Sequence, residues 1–255
     1  MHRGRRTLAI DMDPQGQLGK VLGLEVRKPR RSSIELLVSS VLGEAPRPES
    51  LDTPKERQQL PAQATRIPNL RVVVANKSLA LFPSWTGQPE GDDDPTARLR
   101  GSLERATELH DYDFVLFDAP PSFGPLTLNV LRACDEVAVP VPLTYLALDG
   151  CAELMRTINM VRTRYDHSKL RVSMVIPTFY RRTRLAHEVL ETLKKRFPKE
   201  IAHTVVGYNV KIDEAQSRGL SIFEYAPRDK GATAMAAIAE ELDARTPPSA
   251  PRTGA

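Results

Sequence analysis

Two carboxylates lie on alternate positions at the end of the first apolar run of the chain. The run Leu8-Ala-Ile leads into Asp11, Met12 and Asp13, and Pro14 and Gly16 follow as turn residues. In open α/β sheets, side chains beyond the carboxyl ends of the strands meet the ligand rather than the core. A hard cation such as Mg²⁺ prefers carboxylate and water oxygens. Taken alone, the Asp-x-Asp pair better fits an acidic strand end that only begins a turn.

A second apolar run also ends in a carboxylate. Tyr112-Asp-Phe-Val-Leu-Phe leads into Asp118, and Ala119, Pro120, Pro121 and Ser122 follow. This pattern is typical of a Walker B strand, whose aspartate holds a Mg²⁺-bound water beside nucleotide phosphates. Two acidic strand ends in one chain would suit one shared cation.

These strand ends resemble the ParA/Soj/MinD group of P-loop ATPases, and its ParA branch in particular. Further blocks continue the resemblance in the family's order and span nearly the whole chain. They are residues 139–150 (VPVPLTYLALDG), 176–190 (IPTFYRRTRLAHEVL), 209–219 (NVKIDEAQSRG) and 225–232 (YAPRDKGA).

The resemblance implies a role for each matching residue. Asp13 would position or activate the attacking water, and Asp11 and Asp118 would hold Mg²⁺ through its waters. The residues implied near adenine are Thr178, Phe179 and Asn209. Members of the family bind ATP, form homodimers, bind DNA without sequence preference and release it when a ParB-like activator protein triggers hydrolysis. A cytoplasmic, nucleoid-associated protein is therefore expected.

The chain departs from the family pattern in one respect. Members carry a strand and a loop of the form Lys-Gly-Gly-x-Gly-Lys-Thr about 25 residues before the Asp-x-Asp strand, and its backbone N–H groups and lysine cradle the phosphates. Only ten residues precede Asp11 here, and the lookalike from Gly16 to Lys20 lacks the spacing and the hydroxyl. Two explanations stay open: a start codon assigned too late, or a truncated paralogue that binds nucleotide poorly. Without the loop we expect no measurable ATP hydrolysis.

Six basic residues flank one predicted helix, and they are the candidates for DNA contact. They are Arg181, Arg182, Arg184, Lys194, Lys195 and Arg196, in a chain of net charge +4. Backbone phosphates require only clustered positive charge. Lysines at a helix C-terminus also suit the helix dipole, so a solvated helix end is the alternative. We see almost no exposed aromatic residue between these cations, which argues against base stacking on single strands.

The pattern of elements predicts one doubly wound α/β domain over residues 1–245, with a mostly parallel sheet and helices on both faces, followed by a disordered tail at 246–255. The predicted strands are residues 7–11, 70–75, 113–118, 136–141, 171–176 and 203–206, and residues 83–95 are predicted to be a polar loop. Helices are predicted from Asp149, around Leu185 to Phe197, and from Gly231 to Leu242.

Composition excludes several classes of protein. The 255 residues are 41% hydrophobic and contain only Cys134 and Cys151, which fits buried thiols in a reducing compartment. No apolar stretch is long enough to span a membrane, and no membrane partner is expected. Two alternatives to a partitioning ATPase stay open: an ATP-dependent small-molecule ligase, and a catalytically inactive adaptor.

Overall fold

The computed structural model describes residues 4–29, 31–38, 59–85 and 94–246. Within these ranges the chain divides at Ala133 into two compact units, one before and one after this residue. The predicted tail, apart from Thr246, lies outside the described residues, and the single-domain assignment stays a prediction.

The first unit is built on a four-stranded sheet of order β2-β3-β1-β4. Strand β1 is parallel to both β3 and β4, whereas β2 runs antiparallel to β3. Alternate residues of β1 enter different cores, because Leu8 and Ile10 pack on one face and Ala9 on the other. Both faces of the sheet are therefore covered. The strands are β1 (Thr7–Asp11), β2 (Gln63–Ala64), β3 (Leu70–Val73) and β4 (Phe114–Asp118).

Among the described residues of this unit, five helices lie around the sheet. The buried amide of Asn129 joins two of them, since its oxygen accepts the Leu99 N–H at 3.1 Å and its nitrogen donates to the Pro95 carbonyl at 2.9 Å. The predicted loop at 83–95 begins inside a short helix, and residues 86–93 lie outside the described part. The helices are α1 (Gln17–Val21), α2 (Glu35–Val38), α3 (Phe82–Trp85), α4 (Arg98–Arg105) and α5 (Pro125–Ala133), with 3-10 helices at Lys77–Leu81 and Thr107–Asp111.

The second unit contains two parallel strands and five helices. Helix α7 is amphipathic as predicted, with Val189 and Leu193 buried against the core and its charged residues exposed. The elements are β5 (Glu136–Pro142), α6 (Tyr145–Arg164), β6 (Arg171–Thr178), α7 (Arg184–Arg196), α8 (Val210–Ser217), α9 (Ile222–Tyr225) and α10 (Lys230–Arg245). The α/β class with a mostly parallel sheet and helices is thus confirmed. No helix in the described ranges is long and apolar enough to cross a membrane.

Two predictions for this unit are wrong. Residues 203–206 form no strand. On either side of them, Ile201 makes an isolated bridge to Val175 of β6 and Gly207 makes one to Tyr180, and the Val206 N–H donates to the Pro177 carbonyl at 2.8 Å. Pro177 of β6 has no N–H to donate, which interrupts a continuous ladder there. Helix α6 begins at Tyr145, so Asp149 lies inside it rather than at its start.

The side chain of Arg245 joins the end of α10 to the segment that follows α7. It donates to the backbone carbonyls of Glu200 at 2.7 Å and Ile201 at 2.8 Å, and it pairs with Glu241 on its own helix. Only 19% of the arginine side chain is exposed. The Ile201 carbonyl accepts from this guanidinium, whereas the Glu200 carbonyl also accepts the Val175 N–H of β6 at 2.8 Å.

We predict that Arg245→Ala destabilises the protein by about 1–3 kcal/mol, because it removes the guanidinium from the Ile201 carbonyl and from the Glu241 carboxylate, which then keeps only its contacts with His203. Urea unfolding followed by far-UV circular dichroism measures the change. Arg228→Ala removes an exposed arginine and should change stability by less than about 0.5 kcal/mol. Equal effects of the two substitutions would contradict the structural role of Arg245.

Candidate functional site

The parallel pairing of β1 and β4 brings two carboxylates to the same edge of the first sheet. Asp11 and Asp118 are register partners, and the Met12 N–H donates to the Asp118 carbonyl at 2.9 Å. Adjacent strands lie about 4.8 Å apart, so the two side chains are neighbours. The sequence predicted this proximity, and the structure contains it.

Asp13 lies in the turn that follows β1. Its N–H donates to Asp11 Oδ1 at 3.1 Å, and its own Oδ1 accepts the Gln15 N–H at 2.9 Å. Gly16 completes the turn with a left-handed φ of 61°, and a Cβ at this position would lie 2.9 Å from the Ala75 carbonyl oxygen. The Asp-x-Asp pair therefore does begin a turn, which fits both interpretations, and the role of Asp13 on water stays a prediction.

The Asp11 carboxyl group is buried and only half satisfied. Its residue has no exposed surface, and within the described part of the chain Oδ2 has no hydrogen-bond donor. Burial, with smaller contributions from the charges of Asp118 and Asp13, raises its pKa from 3.8 to about 6, although the Asp13 N–H lowers it. The pKa of Asp118 is also raised, first by loss of hydration and then by the charge of Asp13.

An unpaired acceptor beside two further carboxylates is a suitable place for a cation. Because a divalent ion would remove the mutual repulsion and bind Asp11 Oδ2, the donor set fits Mg²⁺ held partly through water. Within residues 4–29, 31–38, 59–85 and 94–246, however, no group of three or more His, Cys, Asp or Glu side chains is arranged to hold a metal directly. The assignment of Asp11 and Asp118 to a metal stays a prediction.

The three residues implied for adenine all belong to the second unit. Thr178 ends β6, and its hydroxyl oxygen is buried without a hydrogen-bond partner among the described residues. Phe179 follows with a left-handed φ of 54° and a ring that is 56% exposed.

Asn209 is already engaged in the fold. Its oxygen accepts the Lys211 N–H at 2.8 Å and so caps α8, and its nitrogen donates to Asp229 at 2.5 Å. Asp229 in turn caps α10, and the Gly231 N–H is the main cause that lowers its pKa. The nucleotide role of Asn209 stays untested beside this capping role.

The six candidate DNA residues are exposed at the two ends of α7. Arg184 pairs with Glu188 at 2.8 Å and Lys194 with Glu191 at 2.9 Å. Neither Arg182 nor Lys195 makes an ion pair within the described ranges. At 1.5 Å per residue the two groups are about 15 Å apart along the helix.

Sequence reasoning missed an aromatic side chain beside these cations. Tyr208 is 44% exposed, and the Arg181 guanidinium lies 4.2 Å from the centre of its ring. Exposed aromatic residues therefore do adjoin the basic cluster, contrary to the prediction. Residues 181 and 208 are far apart in sequence, and the available signal was only that Tyr208 directly precedes Asn209.

Comparison with known proteins gives the family. A family model described as an AAA domain matches residues 1–172. The sporulation initiation inhibitor protein Soj of Bacillus subtilis is 32% identical over 246 residues, which cover 94% of this chain and 87% of that protein. The chromosome-partitioning ATPase Soj of Thermus thermophilus is 36% identical over 244 residues, covering 95% and 85%. The chain belongs to the ParA/Soj family of P-loop ATPases.

Solved structures agree with this family fold. Apo McdA of Cyanothece matches 94% of this chain and 88% of its own with a TM-score of 0.74 at 15% identity, which shows the fold alone. A cobyrinic acid a,c-diamide synthase from Mycobacterium smegmatis, with bound ADP and magnesium, matches 99% and 88% with a TM-score of 0.69 at 26% identity. Curated ParA/Soj relatives include chromosome-partitioning proteins from several bacteria.

We predict that ionised Asp11 destabilises the protein without added metal. Its penalty is absent below the unfolded pKa of 3.8, grows as the pH rises to about 6, and is complete above that. Asp11→Asn keeps the acceptor for the Asp13 N–H and should stabilise the protein at pH 7 by roughly 1–3 kcal/mol. Urea unfolding in EDTA at a series of pH values measures the difference, which should vanish at low pH. A difference that does not change with pH would contradict the raised pKa.

Proposed function

We propose that this chain is a ParA-like ATP-binding protein that partitions chromosomes or plasmids or positions another cargo. In this proposal ATP drives homodimerisation, the dimer binds DNA without sequence preference on the nucleoid, and a ParB-like activator ends the cycle. The observation that carries the proposal is the pair of acidic strand ends, Asp11 and Asp118, with one buried oxygen unsatisfied. Family membership and nearly full-length similarity to partitioning proteins support it.

The carboxylates of Asp11, Asp13 and Asp118, which we call the acidic edge, would have different roles. Asp11 and Asp118 would orient Mg²⁺ through its waters, and the ion would neutralise charge on nucleotide phosphates. The Gln15 N–H donates to Asp13 Oδ1 at 2.9 Å, and in this proposal the other carboxylate oxygen holds the attacking water. Such a role acts in the transition state, so loss of Asp13 should reduce turnover more than nucleotide binding.

In this proposal the residues that contact the base are Thr178, Phe179 and Asn209. The buried hydroxyl of Thr178 has no partner among the described residues and can bond a ring nitrogen or amino group. Phe179 offers an exposed ring next to it. One N–H of the Asn209 amide donates to Asp229, and the other N–H would bind the base.

A small-molecule ligase is the alternative that one comparison favours. The matching Mycobacterium smegmatis structures are described as cobyrinic acid a,c-diamide synthase. An adaptor that binds without hydrolysis is the other alternative. DNA binding separates the partitioning proposal from the ligase, and ATP hydrolysis separates it from the adaptor.

We predict that about 10 mM Mg²⁺ stabilises the protein at pH 7 by roughly 1 kcal/mol, because only the folded state assembles the acidic edge. Asp11→Asn and Asp118→Asn should abolish this gain, while Asp13→Ala should retain most of it. Thermal unfolding with Mg²⁺ and with sodium chloride of equal ionic strength measures the effect.

The matched control is Asp111→Asn, which removes an exposed carboxylate from the same unit. It should leave the Mg²⁺ response intact. If Asp111→Asn reduces the response as much as Asp11→Asn, Mg²⁺ acts by screening charge in general. The assignment of a metal site to Asp11 and Asp118 is then wrong.

We predict that the log–log salt dependence of duplex DNA binding becomes shallower by about one to two units when Arg182 and Lys195 are both replaced by alanine. The change should be the same for DNA of any sequence, because only phosphates are contacted. Fluorescence anisotropy of a labelled duplex across a salt series, with ATP and Mg²⁺ present, gives the slope.

The control pair is Arg184→Ala with Lys194→Ala, which removes the same charge from residues already paired with glutamates. We expect a smaller change in slope from this pair. If the Arg182 and Lys195 pair leaves the slope unaltered, the DNA surface lies elsewhere.

A further inference from the structure

The side chain of Lys20 folds back toward the acidic edge. Its ammonium donates to the Gln15 carbonyl at 2.5 Å, and the Gln15 N–H donates to Asp13 Oδ1 at 2.9 Å. The ammonium and the Asp13 carboxylate are therefore held on the two backbone groups of one residue. The Asp13 N–H in turn donates to Asp11 Oδ1 at 3.1 Å. An unbroken series of contacts thus joins Lys20 to the buried carboxyl group of Asp11.

The helix that carries Lys20 does not explain this orientation. Lys20 is in the last turn of α1, where an ammonium ordinarily lies near the C-terminal carbonyls and suits the helix dipole. The Gln15 carbonyl instead precedes the first residue of the helix. A positive charge at that end is disfavoured by the dipole, so an anion bound beside it would stabilise the arrangement.

The ammonium of Lys20 can reach a ligand from this position. Lys20 is exposed, and no carboxylate of residues 4–29, 31–38, 59–85 and 94–246 forms an ion pair with it. It is therefore not the counter-ion of the acidic edge, although that edge follows the same turn. An ammonium has three N–H donors, and the Gln15 carbonyl takes one of them. The other two can bind an anion.

An ammonium and an acidic edge on one turn match a ligand that has several negatively charged oxygens and binds together with a cation. Lysine binds phosphate as a compact point charge, and Mg²⁺ binds phosphate oxygens as well as carboxylates. We propose that Lys20 contacts the terminal phosphate of a nucleoside triphosphate and makes the site prefer the triphosphate to the diphosphate.

The terminal phosphate is the expected contact because of the position of Gln15. This residue holds Lys20 on its carbonyl and Asp13 on its N–H, and Asp13 is the residue proposed to hold the attacking water. Water attacks the terminal phosphate, so a cation on the same residue lies at that end of the ligand. The inference rests on the proposed function and adds to it a positively charged phosphate ligand, which the three carboxylates do not supply.

The test compares binding of ATPγS, a slowly hydrolysed triphosphate, with binding of ADP, each with Mg²⁺ and the full chain. Thermal unfolding at increasing nucleotide concentration gives the dissociation constants, because a ligand that binds only the folded state raises the midpoint. Lys20→Gln removes the charge and keeps a polar amide. It should weaken ATPγS binding about five- to thirtyfold and change ADP binding by less than about twofold.

Two further variants control for charge and for position. Lys20→Arg keeps the positive charge and should bind ATPγS within about threefold of the wild type. Lys28→Gln removes another exposed lysine from the same unit and should change neither nucleotide. Without nucleotide, Lys20→Gln should unfold at the same urea concentration as the wild type and respond equally to Mg²⁺, because its bond to Gln15 is exposed and it holds no metal.

The outcomes distinguish failure of this inference from failure of the proposed function. If Lys20→Gln binds ATPγS as tightly as the wild type does, Lys20 only solvates the turn, and the proposed function stands. Equal weakening of ATPγS and ADP, or an equal effect of Lys28→Gln, would also overturn the inference. If the wild type binds neither nucleotide at millimolar concentration, the inference and the proposed ATP binding are both wrong. A selective loss of ATPγS in a protein that does not respond to Mg²⁺ alone would support Lys20 and contradict only the metal assignment.

Discussion

The parallel ladder between β1 and β4 is the constraint on which the acidic site depends. Register pairing sets Asp11 beside Asp118, and the Met12 N–H extends the ladder beyond both of them. The two carboxylates cannot separate without breaking backbone hydrogen bonds. Repulsion and burial are therefore relieved through protonation of Asp11, whose pKa is about 6, or through a cation. The fold thus holds, next to a tight glycine turn, an electrostatic cost that a ligand can remove.

Unlike the carboxyl group of Asp11, the polar groups at the starts of α8 and α10 have hydrogen-bond partners. Asn209, Asp229 and the Gly231 N–H satisfy one another and tie the starts of α8 and α10 together. A side chain at Gly231 would lie within 2.9 Å of the Asn209 nitrogen, so this contact is tight. A group that is already satisfied gains less from a ligand than one that is not. The unsatisfied hydroxyl of Thr178 is therefore a better candidate for a new hydrogen bond than the amide of Asn209.

Much of the fold could be predicted from local sequence, because apolar runs and helical periodicity are local signals. Strands β1, β4, β5 and β6 and helix α7 were predicted in this way. The rule that ligands bind beyond the carboxyl ends of parallel strands predicted that Asp11 and Asp118 lie at one site. The end of β6 was less predictable, because the bridges at Ile201 and Gly207 depend on where a distant segment lies. Tyr208 was missed for the same reason. Its exposure beside Arg181 is set by tertiary pairing and leaves no periodic pattern.

Among the described residues, no strand pairs with the edge of β4 that faces away from β1. There β4 pairs with β1 alone, and Leu116 is 45% exposed. Exposed edges are ordinarily protected by charge or proline; β5 contains Pro140 and Pro142, but the apolar part of β4 contains neither. A strand parallel to β4 would pair these groups. Because parallel strands end at the same edge, a loop following such a strand would lie beside Asp118.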